Sequence, residues 1–396
     1  MSPRASSSTP SPRRRFFAAA AGIALALAFI VSLAAGAVAQ SGSRPAVDLV
    51  TIDGEITPPM AHYVTGAITA AGNNGADALV IEMNTPGGLM SAMDDIVGGI
   101  LDSRVPVIVY VAPQGARAAS AGVYITYAAH IAAMAPATRI GSASPVTIGT
   151  NGQPTGGDAT MNAKITNDAV SQIRNLAALR GRNAEWAEQA VRKAANVTAD
   201  EAVKEHVVDL IAPDLPTLLD DVNGRTVTLA TGTTPLRTAD AEIRPVEMGW
   251  IDQFLHLLAD PTIAYILLSL GSLGLFFELA NPGAVFPGVI GGLCLLLGLY
   301  TLGTLPVNWT GLLLIGFAFV LFIADLFVPS FGVLTIGGIV SFVLGSYLLL
   351  GQGAPPGLRI APAVIWTMTV LLILFFLFIG GSVLAARFRK PKTGRE

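Results

Sequence analysis

Ala78-Leu79-Val80-Ile81-Glu82-Met83, followed at once by Asn84-Thr85-Pro86-Gly87-Gly88, is the stretch that decides the fold class. The first six residues form a short apolar run, the next five are turn formers, and Met90 to Leu101 then reads as a helix. The same alternation extends to both sides. Val47 to Ile52 and Val107 to Ala112 are further short β-branched runs, with a helical stretch from Met60 to Ala71 between the first two strands. Strand, helix, strand, helix implies parallel strands joined by helical crossovers, an α/β domain from Ala46 to about Ala212. Helices are expected at Ala163 to Arg180 and Ala184 to Ala195 and a short strand at Val207 to Ile211. Thr147 to Gly157, crowded with Ser, Thr, Asn, Gly and Pro, reads as a loop.

Composition changes near Trp250. With 52% hydrophobic and 13% charged residues, the chain of 396 is too apolar to be wholly soluble. Apolar spans run at about Thr262 to Phe277, Val285 to Leu302, Val307 to Val328, Val333 to Leu350 and Ala361 to Ala385. Each approaches the roughly 20 residues a helix needs to cross a bilayer core, the first two being short enough to form a re-entrant pair instead. At the other end, Arg13 to Arg15, the apolar stretch Phe16 to Ala35 and Ala37-Val38-Ala39 follow the order of a secretory signal.

The chain beyond Gln40 is therefore expected outside the cytoplasm, and five spans bring the basic cluster Arg387, Arg389, Lys390, Lys392 and Arg395 inside, as the positive-inside rule requires. The expected layout is a signal or anchor over 1–39, an α/β domain over 40–240 and a juxtamembrane linker over 241–261. A transmembrane domain of about five helices over 262–386 and a cytoplasmic tail over 387–396 complete it. The linker, with Trp250 and Phe254, either lies on the membrane surface or simply joins the parts.

Several classes are excluded. No basic stripe with interleaved aromatics tracks a phosphate backbone, so nucleic acid is not an expected partner. Cys294 is the sole cysteine, which rules out an intrachain disulfide and a thiolate metal cage, and no metal or cofactor is expected.

Two local features carry chemistry. Gly87-Gly88 at a strand end exposes backbone N–H groups where open α/β sheets build their sites, although taken alone a tight strand-to-helix turn is the commoner origin. Arg117-Ala118-Ala119-Ser120-Ala121-Gly122 sets a serine at a helix N-terminus among small residues, open to an incoming carbonyl; an ordinary Ser N-cap has the same pattern. A nucleophilic serine needs a base. His62, His130, His206 and His256 read as surface or packing residues, with His130 the least improbable base. Lysine is scarce before the tail, only Lys164, Lys193 and Lys204, and Lys164 follows the Gly-rich loop at the start of a helix. Burial beside positive charge would let its amine lose a proton near neutral pH; a surface helix lysine is the plain alternative.

At these residues the sequence resembles the NfeD family of membrane-bound ClpP-class serine proteases. The matching pieces are Asn84 to Gly88, Ala119 to Gly122, Ile140-Gly141-Ser142-Ala143-Ser144-Pro145, the segment around Lys164, Thr198 to Ile211, Glu278 to Gly288 and Phe327 to Gly332. The resemblance implies a ClpP/crotonase-like α/β domain followed by an all-α membrane domain. It further implies that Ser120 attacks, Lys164 removes its proton, and Gly88 and Ala121 hold the oxyanion through backbone N–H groups; the scissile segment is then expected to add as an extended peptide alongside the strand near Gly87. Soluble ClpP proteases place a histidine near Ile140 to Pro145, and its absence here favours a Ser-Lys dyad. Substrates in apolar segments, stomatin-like partners, possible homo-oligomers and a multi-pass place in the cytoplasmic (inner) membrane are expectations from the same source. Many long members continue past the last span into a small cytoplasmic barrel of OB type, whereas this sequence stops at Thr393-Gly394-Arg395-Glu396; either the gene product is short or the sequence is truncated before that barrel. A silent scaffold for stomatin-like proteins and a crotonase-like acyl-CoA enzyme are the other classes weighed, the second disfavoured by the exported location.

Overall fold

The computed structural model describes residues 44–146, 159–280, 283, 285–304, 307–328, 330, 332–349 and 360–388. The signal segment, the loop 147–157 and the end of the basic tail lie outside these residues.

Strands β1 (Ala46–Asp53), β2 (Ala78–Asn84) and β3 (Val107–Val111) form where the apolar runs predict them. Helices α1 (Pro58–Asn73) and α2 (Met90–Leu101) cross between them. Thr57 caps α1 by accepting from the Met60 N–H, and Pro58 at the first helical position costs no hydrogen bond there. Three elements follow in β4 (Arg117–Ala119), α3 (Ala121–Ala128) and β5 (Ile131–Met134). Beyond β6 (Arg139–Gly141) come α4 (Ala159–Arg180) and α5 (Ala184–Arg192). Next are β7 (Asn196–Thr198), α6 (Ala199–Lys204), β8 (Leu210–Ile211) and α7 (Leu215–Val222). The hairpin of β9 (Thr226–Leu229) and β10 (Gly232–Pro235) precedes β11 (Glu242–Pro245).

The main sheet has six strands in the order β11-β1-β2-β3-β5-β8, paired in parallel throughout. Both faces are covered, which is why its central strands are apolar without alternation. Val50, Ile52, Leu79, Ile81, Val107 and Val109 pack on the face that α1, α2 and α3 cover, while Val47, Val80, Ile108, Tyr110 and Ala133 pack on the other with Leu218 and Leu219 of α7. A second sheet, β4-β6-β7, stands beside the ends of these strands.

The structure alters four details of the sequence reading. The strand read from Val207 begins only at Leu210, because the N–H groups of Val207 and Val208 turn back to the Ala202 carbonyl. The helix read to Ala195 stops at Arg192, because Ala194 adopts φ 52°. α4 starts at Ala159, one turn before the expected Ala163. The stretch read as a linker holds β11, which extends the sheet beside β1 through an Arg244 to Asp48 ion pair of 2.8 Å, and α8 (Trp250–Leu258). Trp250, Ile251, Phe254 and Leu257 of α8 are exposed, an apolar face suited to a bilayer surface.

Five apolar helices follow: α9 (Pro261–Ala280), α10 (Val285–Thr304), α11 (Trp309–Phe327), α12 (Val333–Leu349) and α13 (Pro362–Phe388). The pair weighed as re-entrant, α9 and α10, passes the length and composition needed to cross a membrane; the apolar segments of α11, α12 and α13 are shorter among the described residues. Small residues let backbones meet. A Cβ on Gly271 would lie 2.6 Å from the Leu295 nitrogen, and one on Gly345 would lie 2.8 Å from the Gly311 carbonyl oxygen.

One buried cation holds α3 in place. Arg182, following α4, donates from Nη1 to the Tyr127 and Ala129 carbonyls at 2.9 and 3.0 Å and from Nη2 to Asp209 at 2.7 Å. Removing it strands the carbonyls that end α3 and leaves Asp209 without its cation. Arg182→Ala is expected to cost about 3 kcal/mol, measured by chemical denaturation of the purified chain.

Candidate active site

The turn after β2 and the strand β4 are hydrogen-bonded together. Thr85 donates its N–H to the Arg117 carbonyl at 2.8 Å and accepts the Ala119 N–H at 3.1 Å. Its buried hydroxyl accepts the Gly87 N–H at 3.0 Å, which fixes the turn from within. Gly87 has φ 115°, a conformation that glycine alone adopts without strain. A Cβ there would lie 2.5 Å from Ser120 Cβ and 3.0 Å from its Oγ, so the turn backbone rests directly on the serine. Ile56 donates to the Gly87 carbonyl and accepts from Leu89, both at 2.9 Å. In a parallel bridge of this kind Gly88, the residue between, directs its own N–H and carbonyl away from Ile56.

Ser120 opens α3 in a way an ordinary cap does not. An N-cap serine sits in the β region and accepts a helix N–H. Ser120 has φ 54° and ψ −114°, makes no side-chain cap bond, and is half-buried. Such angles are costly for a residue with a Cβ and persist only where surrounding bonds impose them. The bonds are present: its N–H donates to the Gly141 carbonyl at 3.1 Å, and its carbonyl accepts from Val123 at 3.0 Å. The strand-to-helix reversal frees Oγ and leaves the N–H of Ala121 at the start of α3. Among the described residues neither that N–H nor the N–H of Gly88 has a hydrogen-bond acceptor.

The structure thus brings together Gly87, Gly88, Ser120 and Ala121. Lys164 sits apart from them in contact terms. It lies in the second turn of α4 with its side chain exposed, and no hydrogen bond joins it to Ser120. Burial of the amine, which sequence reasoning attached to a general base, is not present in this form. α4 does pack against α3, and Asp168, one turn beyond Lys164, lies within electrostatic reach of Tyr124 on α3.

The histidines fall elsewhere. His130 is separated from Ser120 by the whole of α3, about 12 Å of helix rise. Its Nδ1 accepts the Val107 N–H at 3.1 Å, and burial, reinforced by Arg180, lowers its pKa to about 3. His62 pairs with Asp252 at 2.9 Å and His256 with Thr57 at 3.2 Å, both joining α1 or its cap to α8. His206 is exposed.

Beside Ser120 lies a cleft of about 450 Å³ lined by Pro86, Arg117, Ala119, Arg139, Ser142 and Asn196, among others. Sequence reasoning assigned no role to Arg139 or Asn196, which lie 19 and 76 positions beyond Ser120 and reach the site only through sheet pairing. No group of three or more His, Cys, Asp or Glu suited to a metal occurs among the described residues.

A parallel α/β domain with a strained serine against a Gly-Gly turn, leading into apolar helices, is the architecture of a membrane-anchored α/β protein. The comparisons give the family. The NfeD integral membrane domain matches residues 262–382 and the NfeD1b N-terminal domain matches 46–217. The membrane-bound protease PH1510 of Pyrococcus horikoshii is 36% identical over 362 residues, 87% of this chain and 79% of that one. Membrane protein NfeD1b of Bacillus subtilis is 28% identical over 359 residues, 87% of this chain and 76% of that one. A solved structure of the 1510-N membrane-bound stomatin-specific protease, a lysine-to-alanine mutant in complex with a substrate peptide, superposes with a TM-score of 0.50 at 35% identity. It covers 54% of this chain and 97% of that one. The chain belongs to the NfeD family and is a membrane protein.

Gly87→Ala is expected to push Ser120 aside and to lower stability by about 2–4 kcal/mol, the sum of a left-handed alanine and a clash, read as a fall in Tm. His130 supplies a pH test. Its folded pKa lies below the unfolded value near 6.5, so the unfolded chain binds the extra proton and stability drops as pH falls from about 6.5 towards 3. His130→Asn, which keeps an acceptor for Val107, should show a shallower loss over that window in denaturation curves.

Proposed function

We propose that this protein is a membrane-anchored serine endopeptidase that hydrolyses peptide bonds in apolar segments of membrane-associated proteins through a Ser120–Lys164 dyad. The observation that carries this is the strained Ser120, held between Gly87 and Gly141, beside two backbone N–H groups that have no acceptor among the described residues. Strain and unspent donors at one point suit acyl transfer, because the donors are satisfied only when an oxyanion forms between them.

The steps follow from the geometry. An extended substrate lies along the outer side of Gly87 to Leu89, whose other side is occupied by Ile56. Ser120 Oγ attacks the scissile carbonyl and its proton passes to a neutral Lys164 amine. The N–H groups of Gly88 and Ala121 hold the developing charge. Collapse of the tetrahedral intermediate returns the proton from Lys164 to the leaving amine, and water, deprotonated in the same way, releases the acyl chain. Lys164 is exposed, so a bound substrate must cover it and withdraw it from water before it can work as a base. The solved lysine-to-alanine mutant of a relative, in complex with a substrate peptide, supports this reading.

The same reading puts the α/β domain outside the cytoplasm, all five apolar helices across the cytoplasmic membrane with lipid around them, and the C-terminus inside. A stomatin-like partner is taken from the relative, which is a stomatin-specific protease. Assembly into homo-oligomers is taken from the ClpP-like class alone. The exposure of Lys164 favours a second reading, a catalytically silent scaffold for such partners.

Hydrolysis of an apolar peptide library by the full chain in lipid decides between them. Ser120→Ala and Lys164→Ala are expected to reduce kcat by about 10³-fold or more, and Lys164→Arg to do the same because guanidinium keeps its proton. Activity retained in Lys164→Arg would remove lysine from the role of base; no cleavage by well-folded wild type would favour the scaffold.

A further inference from the structure

The cleft beside Ser120 has a floor whose chemistry the dyad does not use. β4, β6 and β7 pair so that Arg117 faces Arg139 and Thr198 in one row, and Ala119 faces Gly141 and Asn196 in the row nearer the serine. Between these rows Ala118 and Ile140 turn the opposite way, both fully buried in the core. Strand alternation therefore fixes the two guanidinium groups on the outer, cleft-lining face.

Neither arginine side chain has a hydrogen bond or an ion pair among the described residues. The acids nearest in the bonding network, Asp53, which accepts from Asn84 at 2.9 Å, and Glu201, which accepts from the Thr198 N–H at 2.9 Å, form no ion pair with either arginine among the described residues. Like charges on directly paired strand residues repel, so this placement is unfavourable unless an anion comes to it. A third donor faces the same space. Ser142 Oγ accepts from Asn196 Nδ2 at 2.7 Å, which leaves the Ser142 hydroxyl proton for an acceptor in the cleft.

Two guanidinium forks and a hydroxyl suit a carboxylate. Arg117 precedes Ser120 by three strand residues, about 10 Å of chain, which an extended substrate covers in two or three residues. We propose that this cleft is a subsite for a carboxylate of the bound polypeptide, two or three residues from the bond held at Ser120. It gives an apolar substrate one required acidic point and fixes its register. The proposal rests on the peptide-binding reading of the Ser120 site, and the carboxylate is either an Asp or Glu side chain or a chain terminus.

The test separates the two claims by measuring binding apart from hydrolysis. The full-length Ser120→Ala chain in detergent is titrated with fluorescein-labelled apolar peptides in which a single Glu, paired against Gln, is walked through every position, each as the C-terminal amide. A further all-apolar peptide is compared as free acid and amide. Glu is expected to bind about tenfold more tightly than Gln at one or two adjacent positions, the gain of a charge-assisted bond in a partly solvated site. Arg117→Gln and Arg139→Gln should each erase most of that difference, while Arg139→Lys, which keeps the charge, should retain part of it and shows that the fold survives. A tenfold gain confined to the free-acid peptide assigns the carboxylate to a chain terminus. Equal binding of every Glu and Gln pair and of acid and amide overturns the subsite, as does a Glu preference that survives both Gln substitutions together in a folded chain. If wild type cleaves peptides without such a preference, the subsite alone falls. If the preference is present but wild type cleaves nothing, the subsite stands and the endopeptidase reading falls.

Discussion

The two backbone bonds between Thr85 and β4 are the constraint on which the site depends. They carry the end of a short, separate sheet onto the end of the main one, so that Gly87 and Ser120, 33 positions apart, share one van der Waals contact. Everything nearby is conditioned by that contact. Gly87 has no side chain because Ser120 occupies the place of its Cβ, and Gly122 has none because Thr85 Cγ2 would lie 2.7 Å from it. Gly88 is equally constrained by the Ile56 backbone, 2.2 Å from where a Cβ would stand. Three glycines within one turn and one helix entry are required by close approach, each to a different neighbour.

Strain at Ser120 is the counterpart of this packing. A serine at positive φ is held there by its own N–H bond to Gly141 and by the helix it opens, and α3 is itself held at its far end by Arg182. The site therefore draws on bonds that lie well outside it. Such an arrangement keeps the backbone donors oriented before a ligand arrives, which is the condition under which they stabilise charge most effectively. Lys164 is supported differently: it projects from an early turn of α4 into solvent and has no comparable set of partners among the described residues. The two residues of the proposed dyad thus differ in support, with Ser120 held by backbone bonds and Lys164 exposed on the helix surface.

The membrane and α/β regions meet at α1 and α8. Thr57, which caps α1, touches His256, and His62 pairs with Asp252. Ile56, next to that cap, is the residue that bridges Gly88 and donates to the Gly87 carbonyl, so the α8 contact lies one residue from the backbone that shapes the site. Burial raises the pKa of Glu55 in the same segment, with Asp260 adding to the effect. The apolar exposed side of α8 faces away from these polar contacts and suits a lipid surface.

Much of this was legible in the sequence because it rests on local pattern. Apolar runs of strand length separated by helical periods determined the parallel α/β class, and the long apolar spans determined a helical membrane region, since both follow from which residues avoid water. Gly87-Gly88 and the small residues around Ser120 were visible as a pair of unusual turns, and an ordinary cap could not be separated from a strained one, because φ at Ser120 is set by partners 21 positions away at Gly141. β11 was hidden within an expected linker because an edge strand of four residues has too little apolar pattern to announce itself before it pairs with β1. The row formed by Arg117 and Arg139 could not be read at all from the chain. Sequence alone determined which residues are buried and where the chain turns, whereas only tertiary pairing decided which distant backbones touch, because hydrogen-bond register between strands is a property of the assembled sheet and not of any one segment.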